Sequence, residues 1–289
     1  MAESIAFFSL KGGVGKTTTV ANVAGTLIGQ GKRVLVIDMD GQSNLTISLG
    51  VNPDDEVAKG KRSIAEFLFA IGTYVGLGQK IFEKHYVEVK SRIESSIVQT
   101  KSGIDLIYSA KHSRFQFECV EQLKLENVDR IYLLDYLLAM FDKDYDYILI
   151  DTVPLPCYQL DTALASSKRA VCIINLDAFS FLSFLDSIYY LSRNIIEKYD
   201  AEVEFLGFVV NDVNLRLSHQ DRILNMLKDY RDKYTFNIFE SFIPTVSKIA
   251  AACVYGVVVT NTSTKEYEKV RNAYTALTDE IISHIVVPR

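Results

Sequence analysis

The sequence predicts an α/β fold with one doubly wound, mostly parallel sheet and helices on both of its faces. Three observations predict it. A glycine-rich loop, Gly12-Gly13-Val14-Gly15-Lys16-Thr17, stands between a short apolar run and a helical pattern. Apolar runs of strand length then alternate with helical patterns along the chain, the order that builds parallel sheets from βαβ units. Two of those runs end in aspartate, at Asp38 and Asp151, on the side where an open α/β sheet binds its ligands.

Taken in order, Ser4-Ile5-Ala6-Phe7-Phe8 is an apolar run suited to a strand buried on both faces. After the loop, residues 17–30 carry Val20, Val23, Ala24 and Leu27 at helical spacing, and Gly31 is placed to end that helix. Arg33 to Asp38 is a second buried strand, so the opening is a βαβ unit with an expected right-handed crossover. Ser63-Ile64-Ala65-Glu66 reads as a capping box ahead of a helix. Residues 70–103 remain ambiguous, because Gly72, Gly76 and Gly78 interrupt the pattern. Ile104 to Tyr108 reads as a strand, and Ile131 to Phe141 as a helix with Leu134, Leu137 and Leu138 on one face. Tyr145 to Thr152 is an apolar strand that delivers Asp151, and 170–175 and 205–211 are two more. Residues 238–243 read as a last short strand and 265–286 as a last helix. Without repeats, low-complexity tracts or a linker, residues 1–286 are expected to form one domain. Val287-Pro288-Arg289 reads as the remnant of a cleavable tag or as a native end.

The composition narrows the class. With 289 residues, 48% hydrophobic and 23% charged, the chain has the make-up of a globular domain with a sizeable core. A net charge of −5 argues against a protein that is basic all over, and leaves room only for a local basic patch. Cys119, Cys157, Cys172 and Cys253 form no CxxC pair, which speaks against a zinc site or a disulfide framework and for a reducing cytoplasm. No signal peptide and no apolar run long enough to span a membrane is found.

The loop carries the chemistry. Backbone N–H groups of Gly12 to Gly15 wrap phosphate oxygens, because glycine permits the dihedrals and the close approach. The helix that follows directs its positive end at the same phosphates. Lys16 is placed for the β- and γ-phosphates, and the Thr17 hydroxyl, next to Thr18, for magnesium. The pattern GxxxxGK[ST] asks for glycine at position 10, where this chain has Leu10, and beside it stands a lysine that the loop does not need, Lys11. Asp38, Asp40 and Asp151 cluster at strand ends, where one carboxylate can hold magnesium through water and another can position attacking water. A single strand-end aspartate reads equally well as a cap or turn former, but three around one phosphate loop do not.

KGGVGKTTT, VIDMDGQSNL and YDYILIDTVP together resemble the motif series of the deviant Walker A P-loop NTPases of the ParA/MinD family, and the second motif resembles ParA more than MinD. The resemblance runs along nearly the whole chain and is weak over 51–103. It implies an ATP hydrolase dependent on Mg2+, binding ATP and ADP through Gly12, Gly13, Val14, Gly15, Lys16, Thr17 and Thr18. It implies that Lys11 reaches across a homodimer to the partner's phosphates, where a cation supplied in trans would stabilise charge developing in hydrolysis. Carried over likewise, Thr17 and Asp38 serve the metal, Asp40 positions water, Asp151 ends the Walker B strand, and Asn211 and Pro244 approach the adenine. The implied function is partition of plasmid or chromosomal DNA in the cytoplasm, on the nucleoid. Its partners would be a ParB-like centromere-binding protein or adaptor and non-specific DNA, the latter held by Arg216 and Lys248.

Departures and rivals stand beside this reading. Gly41 replaces the family's usual proline, and Thr152-Val153-Pro154 replaces its Cys-Pro-Pro or Ala-Pro-Pro, both in switch loops. The helix-turn-helix extension of some plasmid members is not expected, so neither is operator binding. A MinD-like membrane ATPase would need a basic face on the last helix. Here a stripe of Tyr267, Val270, Tyr274, Leu277, Ile281 and Ile285 faces a mixed set of charges, so the helix is expected to dock on the domain and no membrane is expected. An iron–sulfur relative would need two cysteines in the right loops, and Cys119 reads as helical. A positioning ATPase for a protein cargo stays open as an alternative.

Overall fold

The computed structural model describes residues 1–111, 113–123, 125, 129–177, 180–214, 217–234, 236–245, 252 and 256–286. Among them, β1 (Glu3–Phe8), β2 (Val34–Asp38), β3 (Val98–Gln99), β4 (Asp105–Ile107), β5 (Tyr147–Asp151), β6 (Arg169–Asn175) and β7 (Glu204–Asn211) form one sheet. Its order is β3-β4-β2-β5-β1-β6-β7. Every neighbouring pair is parallel except β3 with β4, which closes one edge antiparallel. The strand order reverses around β1, and the crevice outside the carboxyl ends at such a switch point is where α/β sheets bind ligands.

Side-chain alternation along the strands sorts the core into two layers. Phe8, Ile37, Ile150, Ile174 and Val210 enter one apolar cluster. Their chain neighbours Phe7, Val36, Leu149, Ile173 and Val209 enter the other. Helices α1 (Lys16–Gly29), α2 (Asn44–Ser48) and α11 (Glu268–Val286) contribute to the second layer. The first is covered by α4 (Ile64–Gly76), α5 (Gln79–Ser96), α6 (Ser113–Glu121), α7 (Leu133–Phe141), α8 (Tyr158–Ser166), α9 (Ser180–Tyr189) and α10 (Ser218–Tyr234). The short helix α3 (Pro53–Ala58) links α2 to α4. The doubly wound sheet read from the sequence is the observed one.

The ambiguous 70–103 stretch resolves into the end of α4, then α5 and β3. Gly72 does not break α4. A Cβ there would lie 2.6 Å from a Leu123 methyl, so the glycine lets another segment pack against the helix. Gly78, with φ +116°, makes the turn into α5. The capping box forms as read, with Ser63 N–H donating to Glu66 Oε2 at 2.8 Å.

The strand expected at 238–243 is not continuous. It meets β7 at one isolated bridge, Phe208 with Ile238, and a second bridge joins the residues just beyond each, Val213 with Pro244. Between them the Glu240 and Ser241 N–H groups donate to the Glu280 carboxylate of α11, at 2.8 and 2.9 Å, so the ladder is interrupted by a side chain. The last helix docks as expected: Val270, Tyr274, Leu277 and Ile281 are buried against α1 and the sheet. Among the described residues no helix is long and apolar enough to cross a membrane. Cys119 lies in α6, and Val287-Pro288-Arg289 fall outside the described residues.

Candidate functional site

The loop between β1 and α1 is shaped by left-handed glycines, Gly13 at φ +76° and Gly15 at φ +85°. Gly15 serves as N-cap of α1 with no side chain capping it, which leaves first-turn N–H groups available to an anion. Asn211, at the carboxyl end of β7, donates to the Val14 carbonyl at 2.7 Å. It comes so close that a Cβ on Gly15 would lie 2.1 Å from its amide nitrogen. Pro244 bridges to Val213, two residues beyond Asn211, so the two residues expected near the adenine share one corner. Gly12 faces the loop after β5, its missing Cβ 3.9 Å from Pro154. Thr18 lies in the first turn of α1, where its carbonyl accepts from the Asn22 side chain at 2.9 Å.

Below the loop three strand-end carboxylates meet one ammonium. Lys16 is buried and ion-pairs with Asp151 Oδ1. Asp151 Oδ2 accepts the Thr17 hydroxyl at 2.7 Å. Asp38 is the cross-strand neighbour of Asp151, and both are fully buried. Asp38 Oδ1 accepts the Asp40 N–H at 3.1 Å, and its Oδ2 accepts both the N–H and the hydroxyl of Thr46, at 2.9 and 2.7 Å. Asp40 Oδ1 accepts the Gln42 N–H at 2.9 Å. The Thr17 hydroxyl thus rests on Asp151, while Asp38 is held by its own turn and α2.

Burial drives the electrostatics. Desolvation, then the charge of Asp151, pushes the Asp38 carboxyl up to about 7, against the opposing Thr46 hydrogen bonds. Asp40 is raised chiefly by burial, with the Gln42 N–H and Lys16 pulling the other way. A carboxyl raised on folding binds more protons folded than unfolded, so its share of stability is lost as pH rises. For Asp38 that share is full below about pH 4, the unfolded range, and is lost as pH rises through about 7. Melting temperatures of the ligand-free protein in EDTA are expected to fall between about pH 4 and about pH 7, and Asp38→Asn to flatten that fall. A slope unchanged by Asp38→Asn would contradict this.

The donor set fits magnesium. Two buried carboxylates side by side, with one ammonium and a hydroxyl, favour an added cation, and all the candidate metal donors are oxygen. Among the described residues no group of three or more His, Cys, Asp or Glu could hold a metal.

Lys11 lies apart from this cluster in its contacts. It ion-pairs with Asp177, just beyond β6, with 36% and 43% of the two side chains exposed. The Thr152 hydroxyl donates to the Phe7 carbonyl at 2.9 Å, pinning the loop after β5 to β1. Arg216 and Lys248 lie outside the described residues. Thr46 and Asp177 were not singled out by the sequence reading. Thr46 carries no motif signal, whereas Asp177 follows a strand end as Asp40 does.

Residues 2–205 match the family model of an AAA domain. The ParA family protein MG470 of Mycoplasma genitalium is 23% identical over 96% of this chain and 97% of its own. The sporulation initiation inhibitor protein Soj of Bacillus subtilis is 25% identical over 89% of each. Cobyrinic acid a,c-diamide synthase from Mycobacterium smegmatis, crystallised with an ATP analogue and magnesium, superposes with a TM-score of 0.76 at 22% identity. That match covers 100% of this chain and 98% of the synthase, and it bears on the fold.

Proposed function

We propose that this chain, which belongs to the AAA domain family and is a P-loop ATPase of the ParA/MinD type, hydrolyses ATP with Mg2+ as a nucleotide-dependent homodimer that partitions DNA. Residues 1–286 act as one ATPase domain in this reading. The observation that carries it is the meeting of Lys16, Thr17, Asp38, Asp40 and Asp151 under one left-handed glycine loop.

Each residue has a job in the reaction. The loop N–H groups from Gly12 to Thr18 cradle the phosphates. Lys16 leaves Asp151 to neutralise the β- and γ-phosphate oxygens. The Thr17 hydroxyl and Asp38 would hold Mg2+, with Asp151 beside them, and the ion would supply neutralisation of phosphate charge. Asp40 orients the attacking water, and its fixed Gln42 hydrogen bond keeps the carboxylate aimed. Lys11 leaves Asp177 and crosses to the partner's phosphates, which makes hydrolysis depend on dimerisation. Asn211 and Pro244 flank the base of ATP or ADP.

The likeness to a ParA family protein is what favours DNA partition as the use of this cycle in this reading, with a ParB-like centromere-binding protein as stimulator and the nucleoid as matrix. The burial of the apolar stripe of α11 favours it over a membrane-bound reading. DNA is expected to bind without sequence preference, and only to the ATP dimer, because dimerisation would double whatever cationic contacts Arg216 and Lys248 supply on a chain of net charge −5. The log of affinity falls with the log of salt by roughly 0.9 per phosphate contact. Fluorescence polarisation on random-sequence duplex, across a salt series with ATP or ADP, checks this. Arg216→Glu and Lys248→Glu are expected to weaken binding and spare nucleotide affinity. Absence of low-salt binding with ATP, or binding indifferent to nucleotide, would turn the reading toward a protein cargo.

A further inference from the structure

Asp38 is fully buried, and its orientation depends on a residue from another part of the chain. Thr46, inside α2 and itself fully buried, gives Asp38 Oδ2 two donors at once, its N–H at 2.9 Å and its hydroxyl at 2.7 Å. The same hydroxyl oxygen accepts the Ser109 N–H at 3.2 Å. Ser109 lies just beyond β4, the strand paired with β2 on the side away from Asp151. Because the Ser109 N–H occupies a lone pair of the Thr46 oxygen, the hydroxyl proton is directed to Asp38. Three elements thus fix one carboxylate: α2 and the end of β4 through Thr46, and the β2 turn through the Asp40 N–H on Oδ1. Nothing in the phosphate loop takes part.

We propose that Thr46 is a positioning residue for the metal, holding Asp38 by a paired hydrogen bond anchored on Ser109, so that it sets Mg2+ affinity and not nucleotide affinity. The inference rests on Asp38 serving the metal, as proposed above. Partners of metal-holding carboxylates typically contribute 10- to 100-fold to metal affinity, because they fix ligand orientation before the ion arrives. Valine at 46 keeps the shape and loses both functions of the hydroxyl. Serine keeps them and loses one methyl.

The test is the Mg2+ dependence of binding of a fluorescent, non-hydrolysable ATP analogue, with metal-free affinity measured in EDTA. Thr46→Val is expected to raise the Mg2+ midpoint by about 10- to 100-fold and leave the EDTA affinity unchanged. Thr46→Ser is expected to restore the wild-type midpoint. A Thr46→Val protein with the wild-type midpoint overturns the proposal, as does an equal loss of affinity with and without metal. A Thr46→Ser midpoint as high as that of valine also overturns it. If Thr46→Val does not fold, Thr46→Cys, whose S–H is a poor donor, takes its place under the same criteria. A wild-type protein whose analogue binding ignores Mg2+ would instead overturn the metal-dependent ATPase reading, and this proposal with it.

Discussion

Lys16→Ala removes ATP binding. The wild-type ammonium faces the β- and γ-phosphates, and each charge-assisted hydrogen bond it makes there contributes about 1.5–3 kcal/mol. Since about 1.4 kcal/mol is tenfold in affinity, the loss is roughly a hundredfold or more. Isothermal titration with an ATP analogue and Mg2+ reads it directly. The same substitution has a second effect that does not depend on nucleotide. Lys16 is the buried cation paired with Asp151, beside Asp38 and Asp40. Taking one partner from a buried pair typically costs about 3–5 kcal/mol, because the other charge is left uncompensated. The ligand-free variant is therefore expected to melt well below wild type near neutral pH and to recover part of the gap under mildly acid conditions, where Asp38, raised by burial to about 7, accepts a proton. Wild-type ATP affinity in Lys16→Ala would refute the site assignment.

Lys11→Ala and Asp40→Ala both lose hydrolysis, and they stop at different points. Lys11 is half-buried and paired with Asp177, away from Asp151, so its removal is expected to leave the Asp151 cluster intact. The Lys11→Ala protein is expected to bind ATP as a monomer with near wild-type affinity and to turn over poorly. Cationic fingers supplied in trans contribute about 10³- to 10⁵-fold to turnover in nucleotide hydrolases, and a lysine here is expected toward the lower end. Asp40→Ala keeps both lysines and loses the carboxylate that orients water. It is expected to assemble with ATP and to accumulate as dimer, because the step that dissolves the assembly fails. Sedimentation velocity with ATP separates the two variants.

Much of the site was legible because its residues are consecutive or sit at strand ends. Gly12 to Thr18 is a single stretch, and Asp38 and Asp151 each close a buried apolar run, so register alone makes them neighbours. Those runs read as strands buried on both faces, and the fold sends alternate residues such as Phe7 and Phe8, or Leu149 and Ile150, into its two layers. What stayed hidden depends on contacts between distant segments. Gly72 reads locally as a helix breaker, and its reason lies in Leu123, which packs against it from another segment. The strand at 238–243 is broken by Glu280, forty residues from Glu240, which no local pattern announces. Thr46 reads as an ordinary polar residue of a short helix, and only the fold brings it to Asp38 and Ser109. The Lys11–Asp177 pair joins the loop after β1 to the segment after β6, and depends on those strands being neighbours.

The claim that Lys11 serves the partner's site, and not its own, is tested most directly by mixing the two inactive variants. In a mixed dimer, the Lys11→Ala chain keeps Asp40 and receives Lys11 from the Asp40→Ala chain, so one of the two sites is complete. Equal amounts of the two proteins, incubated with ATP and Mg2+, are expected to recover clear hydrolysis that neither shows alone. No recovery, with mixed dimers verified by sedimentation of differently tagged chains, would contradict the account.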